Sequence, residues 1–412
     1  MGKEKLIPIT PEAGGGVGGT VGSVAREMTA NKTVFTPEQK KKFEEYEEAL
    51  FGTSETSANG IYEQRDVEGF NNLLESAREE MRKQQERGYG KMEVDTIQDI
   101  VNSEYGNDTI FDRKLAYLPA DGKAIFIGDT HGNSKSTEAI IKQSGFLEAM
   151  AKGEKMTLVF MGDYIDRGKN QIRNLALVFK LKSMFPNNVI LMEGNHDTND
   201  PFSSSDADLV DEAEGWSSDK QFAKQLQETF YEMATNLMTD MTVTAQGFVA
   251  VHGGIPANNG GFKLLDYNAN LTTGQQNVEI RKNLLWNDPS VEFNSDGQMP
   301  GNYRMSNERK SSERGTSLEK FNDQDVESFL AATGAKVILR GHQNGNELIM
   351  REGNNELAVV QIFSAGSING FESEDSSEAH YSTPVKYAVV NLATPVDIRM
   401  RGADYIEIKD VW

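Results

Sequence analysis

Five apolar runs in this chain each end at or beside a glycine and are followed at once by a carboxylate, an amide or an imidazole. They are AIFIGDTHG (124–132), TLVFMGDYIDRG (157–168), VILMEGNHD (189–197), GFVAVHGG (247–254) and KVILRGHQ (336–343). A run that is apolar on both faces and is stopped by a turn residue reads as a buried strand. A polar residue just past its end has left the core and stands where open α/β sheets carry their ligands. Alternate residues on an extended stretch point the same way, so Asp129 and His131 can reach one point. A loop closing tightly over a metal or a phosphate needs the backbone freedom of glycine. One Asp-x-His alone is a weak signal, because most such pairs are caps or satisfied polar groups.

Histidine supplies the stronger signal. The chain has 5, and His131, His196, His252 and His342 all sit at these strand ends beside Gly or Asn, while His380 does not. Singly, each reads as a satisfied core or surface histidine; together they read as a metal site. The strand ends present Asp129, His131, Asp163, Asp166, Arg167, Asn195, His196, Asp197, His252 and His342. The chain has 0 cysteines, which excludes disulfides, thiolate-bound zinc and a cysteine nucleophile. Lys plus Arg number 42 against 63 Asp plus Glu, a net charge of −21, so nucleic acid and anionic membrane surfaces are not expected partners. No apolar run approaches the roughly 18 residues of a membrane span and the first residues lack a secretory apolar stretch, so the expected location is cytoplasmic.

Before residue 120 the pattern is helical. Residues 1–35, with GGGVGG at 14–19, read as a flexible glycine-rich N-terminus. A helical extension is expected over 36–95: Thr36 can cap, Pro37 suits the first turn, Gln39 completes a capping box, and Gly52 closes the helix. Val67, Phe70, Leu73, Leu74, Ala77 and Met81 then fall on one face of a second helix that Gly88 ends. A shorter helix is expected around Ile97 and Ile100. From 96 to 412 strand-like runs at 124–127, 157–161, 189–192, 248–251, 337–339, 358–363 and 386–392 alternate with helices such as Phe222 to Met238. This predicts a layered α/β domain with two packed sheets.

The motifs GDTHG, GDYIDRG and GNHD, then HGG, LLWNDP (284–289), ERG (313–315), RGH and FSAG (363–366), occur in the order used by the phosphoprotein phosphatase family of calcineurin-like metallophosphoesterases. Over about residues 95 to 400 the chain resembles a divergent, microbial-type serine/threonine protein phosphatase of that family. The resemblance implies an α/β fold, a β-sandwich flanked by helices, with the N-terminal helices as an extension. It implies two divalent metal ions bridged by Asp163, one completed by Asp129 and His131, the other by Asn195, His252 and His342. Manganese suits an assay, and the oxygen and imidazole donors equally suit iron or zinc. Two such cations can activate a bridging hydroxide for in-line attack on phosphorus. By the same resemblance His196 is the general acid, Asp166 its orienting carboxylate, and Arg167 and Arg314, with Asn195, hold the substrate phosphate. The implied substrate is a phosphorylated protein or peptide. The alternatives are a dinucleoside polyphosphate or nucleotide phosphohydrolase of the same superfamily and, more remotely, a non-catalytic phosphoprotein-binding pseudoenzyme.

Three departures from the family pattern are visible: Asp197 where glutamate is usual after GNH, FSAGSING without the family's tyrosine, and HGGIPA. None of them is expected to touch a metal ligand, so catalysis is expected to be intact and they bear on substrate choice, an open pocket wall admitting phosphotyrosine as well. Two acidic stretches, DADLVDEAEG (206–215) and FESEDSSEAH (371–380), read as solvated segments in preference to selectors of basic peptides. Trp286 reads as a packing aromatic.

Overall fold

The computed structural model describes residues 34–198, 208–217, 220–257, 262–264, 267, 275–291, 303–305, 320–345, 347–350, 357–368, 383–393 and 406–411. The readings of residues 1–33, of Arg314 and of the stretch 371–380 with His380 fall outside them. Among the described residues two sheets form. One has five strands in the order β13 (Ile406–Asp410), β12 (Lys386–Asn391), β3 (Lys123–Ile127), β4 (Met156–Phe160), β5 (Val189–Leu191). The other has eight: β1 (Ile110–Asp112), β2 (Leu115–Leu118), β6 (Met241–Thr244), β7 (Phe248–Val251), β9 (Val337–Arg340), β11 (Leu357–Gln361), β10 (Glu347–Met350), β8 (Tyr303–Arg304).

Strand periodicity divides the core into layers. On β3 and β4, Phe126 and Val159 face the second sheet and meet Phe248, Ala250, Leu339 and Val360 in a core between the sheets. Their alternates Ile125, Ile127, Leu158 and Phe160 face helices on the outer side. On β7 and β9, Val249, Val251 and Ile338 join a third core on the far side of the second sheet. This is why the runs read as apolar on both faces. The strand β3 pairs parallel with β4, and β4 with β5; β7 likewise pairs parallel with β9. The carboxyl ends of these five strands therefore open towards one another, which positions the site.

The first helices form where capping predicts. α1 spans Pro37–Phe51, with Thr36 and Gln39 making the reciprocal capping box. α2 is Ala58–Glu63, which the sequence pattern did not reveal, and α3 is Val67–Gly88, capped by Asp66. α4 (Ile97–Asn102), α5 (Ser134–Gln143), α6 (Phe146–Lys152), α7 (Gln171–Met184), α8 (Asp208–Glu214) and α9 (Lys220–Leu237) follow. Later helices cover Gln275–Trp286 and Asp323–Thr333. No helix among the described residues is long and apolar enough to cross a membrane.

Candidate metal centre

Nine of the ten predicted site residues come together at the strand ends, and the tenth is Arg314. Asp129 and His131 follow β3, Asp163 to Arg167 follow β4, Asn195 and His196 follow β5, His252 follows β7, and His342 follows β9. Asp163 is central. Its Oδ2 lies 3.5 Å from His131 Nε2 and 3.3 Å from His252 Nε2, and Asp129 Oδ2 lies 3.8 Å from His131 Nε2. His131, Asp163 and His196 offer ligand atoms within 4.8 Å of one another, and so do Asp163, His252 and His342.

The donor chemistry fits divalent cations. His131 Nδ1 bonds the Ile165 carbonyl at 2.9 Å and His252 Nδ1 bonds the Met161 carbonyl at 2.8 Å, which turns both Nε2 atoms inward as ligands require. The Asn195 Oδ1 oxygen lies 2.9 Å from His252 Nε2, at the same point. Asp129 Oδ2 is buried with no hydrogen-bond partner. Burial drives the His131 imidazole down to about 3, so it is a neutral lone-pair donor. Burial also pushes the Asp129 carboxyl up to about 6. Burial would lower His252, but the Asp163 carboxylate carries it up to about 9. Two buried acids at one point call for positive charge, and the site offers oxygen and imidazole without sulfur.

His196 stands differently. Its Nδ1 is 2.8 Å from Asp166 Oδ2, which orients the ring, and the ring lies edge-on to His131 with centroids 4.9 Å apart. Burial would push its imidazolium down, but the Asp163 and Asp166 carboxylates outweigh that and hold its pKa above the ordinary value. Trp286 is edge-on to the His342 ring, centroids 5.7 Å apart, as a packing aromatic should be.

The backbone of the site is strained. Among the described residues seven non-glycine residues lie in the left-handed region, and five of them are His131 (φ 41°), Asp163 (57°), Asp166 (64°), Arg167 (72°) and His342 (71°). Such residues cost about 1–3 kcal/mol each and persist only where surroundings over-determine them. Here each strained N–H has an acceptor: Asp163 O for His131, Asp197 Oδ2 for Asp163, Gln171 Oε1 for Asp166, Asp208 Oδ2 for Arg167 and Asp129 Oδ1 for His342. Glycine is needed where the loops touch. A Cβ on Gly194 would meet Asp163 Oδ1 at 2.2 Å, and one on Gly162 would meet the Gly194 Cα at 2.6 Å.

Two sequence readings need correction. Asp197 bears directly on a candidate ligand: its carboxylate accepts the backbone N–H groups of Asp163 (2.6 Å), Tyr164 (3.0 Å) and Gly194 (2.9 Å) and so joins two ligand loops. The described part of the acidic stretch 206–215 is solvated only in part: Asp211 and Glu214 are exposed, while Leu209 and Ala213 are buried. It contains α8, whose Asp208 donates its N–H to Asp166 Oδ1 (3.1 Å) and accepts from Arg167 N–H (3.0 Å). Glu212 accepts from Gln171 and Ile172 at the start of α7, at 2.6 and 3.2 Å. Backbone N–H groups, being positive dipole ends, consume the negative charge that composition alone assigns to solvent.

Sequence reasoning also missed a buried charge cluster behind Asn195. Lys114 Nζ lies 2.7 Å from Glu193 Oε2 and 2.9 Å from Asp240 Oδ1, and Arg281 and the Tyr267 hydroxyl close on the same two acids. Burial would raise the Glu193 carboxyl, but Lys114 and Arg281 hold it down at about 2, while burial pushes Asp240 up to about 7. Glu193 is two residues before Asn195, so the cluster anchors that loop from behind. Only the lone Glu193 at the end of an apolar run hinted at it.

Against known proteins, the family model described as calcineurin-like phosphoesterase matches residues 122–345, more than half of the chain and a span holding every candidate ligand. A probable serine/threonine-protein phosphatase of Encephalitozoon cuniculi is 28% identical over 198 residues, 48% of this chain and 40% of that protein. A serine/threonine-protein phosphatase of Caenorhabditis elegans is 24% identical over 264 residues, 62% of this chain and 50% of that protein. The chain thus spans half or less of the length of these two relatives. A solved protein serine/threonine phosphatase from Saccharomyces cerevisiae, described as similar to human phosphatase PP5, superposes with a TM-score of 0.53 at 18% identity, covering 84% of this chain and 89% of that one, which shows the shared fold. With a family match that spans every strand end carrying a candidate ligand, the chain belongs to the calcineurin-like phosphoesterase family.

Proposed function

We propose that this protein is a metal-dependent phosphoprotein phosphatase that hydrolyses phosphoserine and phosphothreonine monoesters. The observation that supports it best is Asp163 Oδ2 standing 3.5 Å from His131 Nε2 and 3.3 Å from His252 Nε2, between two groups of donors. Asp129, His131 and Asp163 would hold one divalent cation, and Asp163, Asn195, His252 and His342 the other. When bound, such a pair lowers the pKa of water and offsets charge on phosphoryl oxygens. His196, oriented by Asp166 through Nδ1, would protonate the departing serine or threonine oxygen from Nε2. Arg167, on a loop pinned by Asp208, would grip the phosphate with Arg314 and Asn195, a planar guanidinium bonding two oxygens at once. Residues 96–412 carry this chemistry, with 36–95 as a helical extension. Manganese is the cation to assay first.

The test is phosphate release in Mn²⁺, then in excess chelator, from a phosphoserine/threonine peptide, a phosphotyrosine peptide and diadenosine tetraphosphate. Chelator-sensitive release from the first is expected, and the ratio of the two peptides reports whether phosphotyrosine is also taken. Turnover of the dinucleotide alone would sink the phosphoprotein reading and keep the metal centre.

A further inference from the structure

Beside Arg167 lies a cleft of about 290 Å³ that this chemistry does not use. Tyr62, Glu63 and Arg65 from the end of α2, Lys169 from the loop after Arg167, and Glu212, Gly215 and Trp216 from α8 and its exit line it. Its position relative to Arg167 is fixed by hydrogen bonds that end on residues 167–172 or on α8 and its exit at Gly215. The Tyr62 hydroxyl donates to Asn170 Oδ1 at 2.7 Å, Arg65 Nη1 donates to the Gly215 carbonyl at 2.9 Å, and Glu212 and Asp208 hold the loop as described. One wall is aromatic, the Tyr62 and Trp216 rings lying 5.6 Å apart and tilted by 50°.

The charge of the cleft runs against that of the chain. Glu212 is committed to two backbone N–H groups of α7. Among the described residues Lys169 makes no ion pair or hydrogen bond, and Arg65 pairs with no carboxylate. In a protein of net charge −21, two cations that have no acidic partner among the described residues stand at one cleft, whose lining carboxylates are the exposed Glu63 and the backbone-bound Glu212. Lys169 is two residues beyond Arg167, and an extended peptide advances about 3.3 Å per residue. A chain held by its phosphate at Arg167 therefore brings a side chain two or three positions away to the cleft.

We propose that this cleft is a substrate subsite for an acidic side chain two or three residues from the phosphorylated one. The proposal rests on the phosphoprotein reading and runs opposite to the alternative, already disfavoured by the sequence, that acidic segments select basic peptides. Its aromatic wall takes the aliphatic stem of the residue, and Lys169 and Arg65 take the carboxylate.

The experiment measures kcat/KM on phosphothreonine peptides carrying Asp, Ala or Lys at those positions, for the wild type, Lys169→Glu and Arg65→Gln, with para-nitrophenyl phosphate run alongside. The Asp peptide is expected to exceed the Lys peptide about three- to tenfold at low ionic strength and to lose that lead near 1 M salt. Lys169→Glu should invert the order and Arg65→Gln should narrow it. Equal rates on all three peptides, or a preference that Lys169→Glu leaves unchanged, would overturn the subsite alone. Hydrolysis of para-nitrophenyl phosphate with none of any peptide would overturn the phosphoprotein reading and the subsite with it.

Discussion

At the scale of single residues, the site separates groups that do chemistry from groups that hold them. His196→Asn removes the proposed proton donor while leaving Asp129, Asp163 and the other donors in place. Peptide turnover should fall by about 10²–10⁴-fold with Mn²⁺ binding by calorimetry retained. Retained turnover would remove His196 from the mechanism. Asp197 belongs to the holding group, being fully buried with three backbone N–H donors on its carboxylate. Each buried donor left unsatisfied costs about 1–3 kcal/mol, so Asp197→Ala should lose at least about 3 kcal/mol in urea unfolding, and Asp197→Asn less because one oxygen remains. A loss under about 1 kcal/mol in both would contradict the bracing role. The candidate ligands are legible in the sequence because histidine is scarce and four of the five stand at the end of an apolar run beside Gly or Asn. The work of Asp197 is not, since it reaches a backbone N–H 34 residues earlier, a contact that no local pattern encodes.

At the scale of elements, long periodic segments are legible and short ones are not. α1 and α3 announce themselves through caps and an apolar stripe, and β3, β4 and β7 through runs bounded by glycine. β2 is only Leu115–Leu118, too short for periodicity to distinguish strand from helix, and β13 alternates on a half-exposed edge. α8 has seven residues, and its acidic composition points to solvent until the fold brings α7 beneath it. Its attachment has a pH signature. Burial pushes the Glu212 carboxyl from its ordinary value up to about 7. A group whose folded pKa is raised favours the fold most below its unfolded pKa, and that contribution disappears as pH climbs through the folded value. Between about pH 4.5 and 7 Glu212 should therefore remove up to about 3 kcal/mol of relative stability. Glu212→Gln keeps an oxygen for the α7 N–H groups and carries no proton equilibrium. Its melting temperature should fall less than that of the wild type from pH 5 to pH 8, and parallel curves for the two proteins would remove Glu212 as the cause.

For the molecule as a whole, the helices before residue 90 are part of the main core. Leu50, Ile61, Phe70, Leu73, Leu74, Ala77 and Met81 are buried in the same cluster as Leu158, Phe160, Leu175 and Phe179. The Phe70 and Phe179 rings lie 6.3 Å apart, and Gln85 donates to the carbonyls of Arg113 and Leu237, both at 3.0 Å. The sequence shows an apolar stripe on α3 but not what covers it, because a stripe at helical spacing suits a partner-binding arm as well as a core helix. The difference is measurable. Burying a large apolar side chain is worth about 1.5–3 kcal/mol, so Leu50, Phe70, Leu73, Leu74 and Met81 together contribute roughly 8–15 kcal/mol, an upper figure because the unfolded chain already hides some of that surface. The total stability of a folded domain is about 5–15 kcal/mol. Deleting residues 1–90 should therefore leave a chain that aggregates or lacks a cooperative unfolding transition by circular dichroism, with no phosphatase turnover. It would also uncover α6 and α7, the helices on which α1, α2 and α3 pack, and α7 follows directly on the loop that carries Asp163 and Arg167. A fragment of residues 91–412 that stays soluble, unfolds in one transition and matches the full-length rate would reduce these helices to a tether, and the stripe on α3 to a surface awaiting another partner.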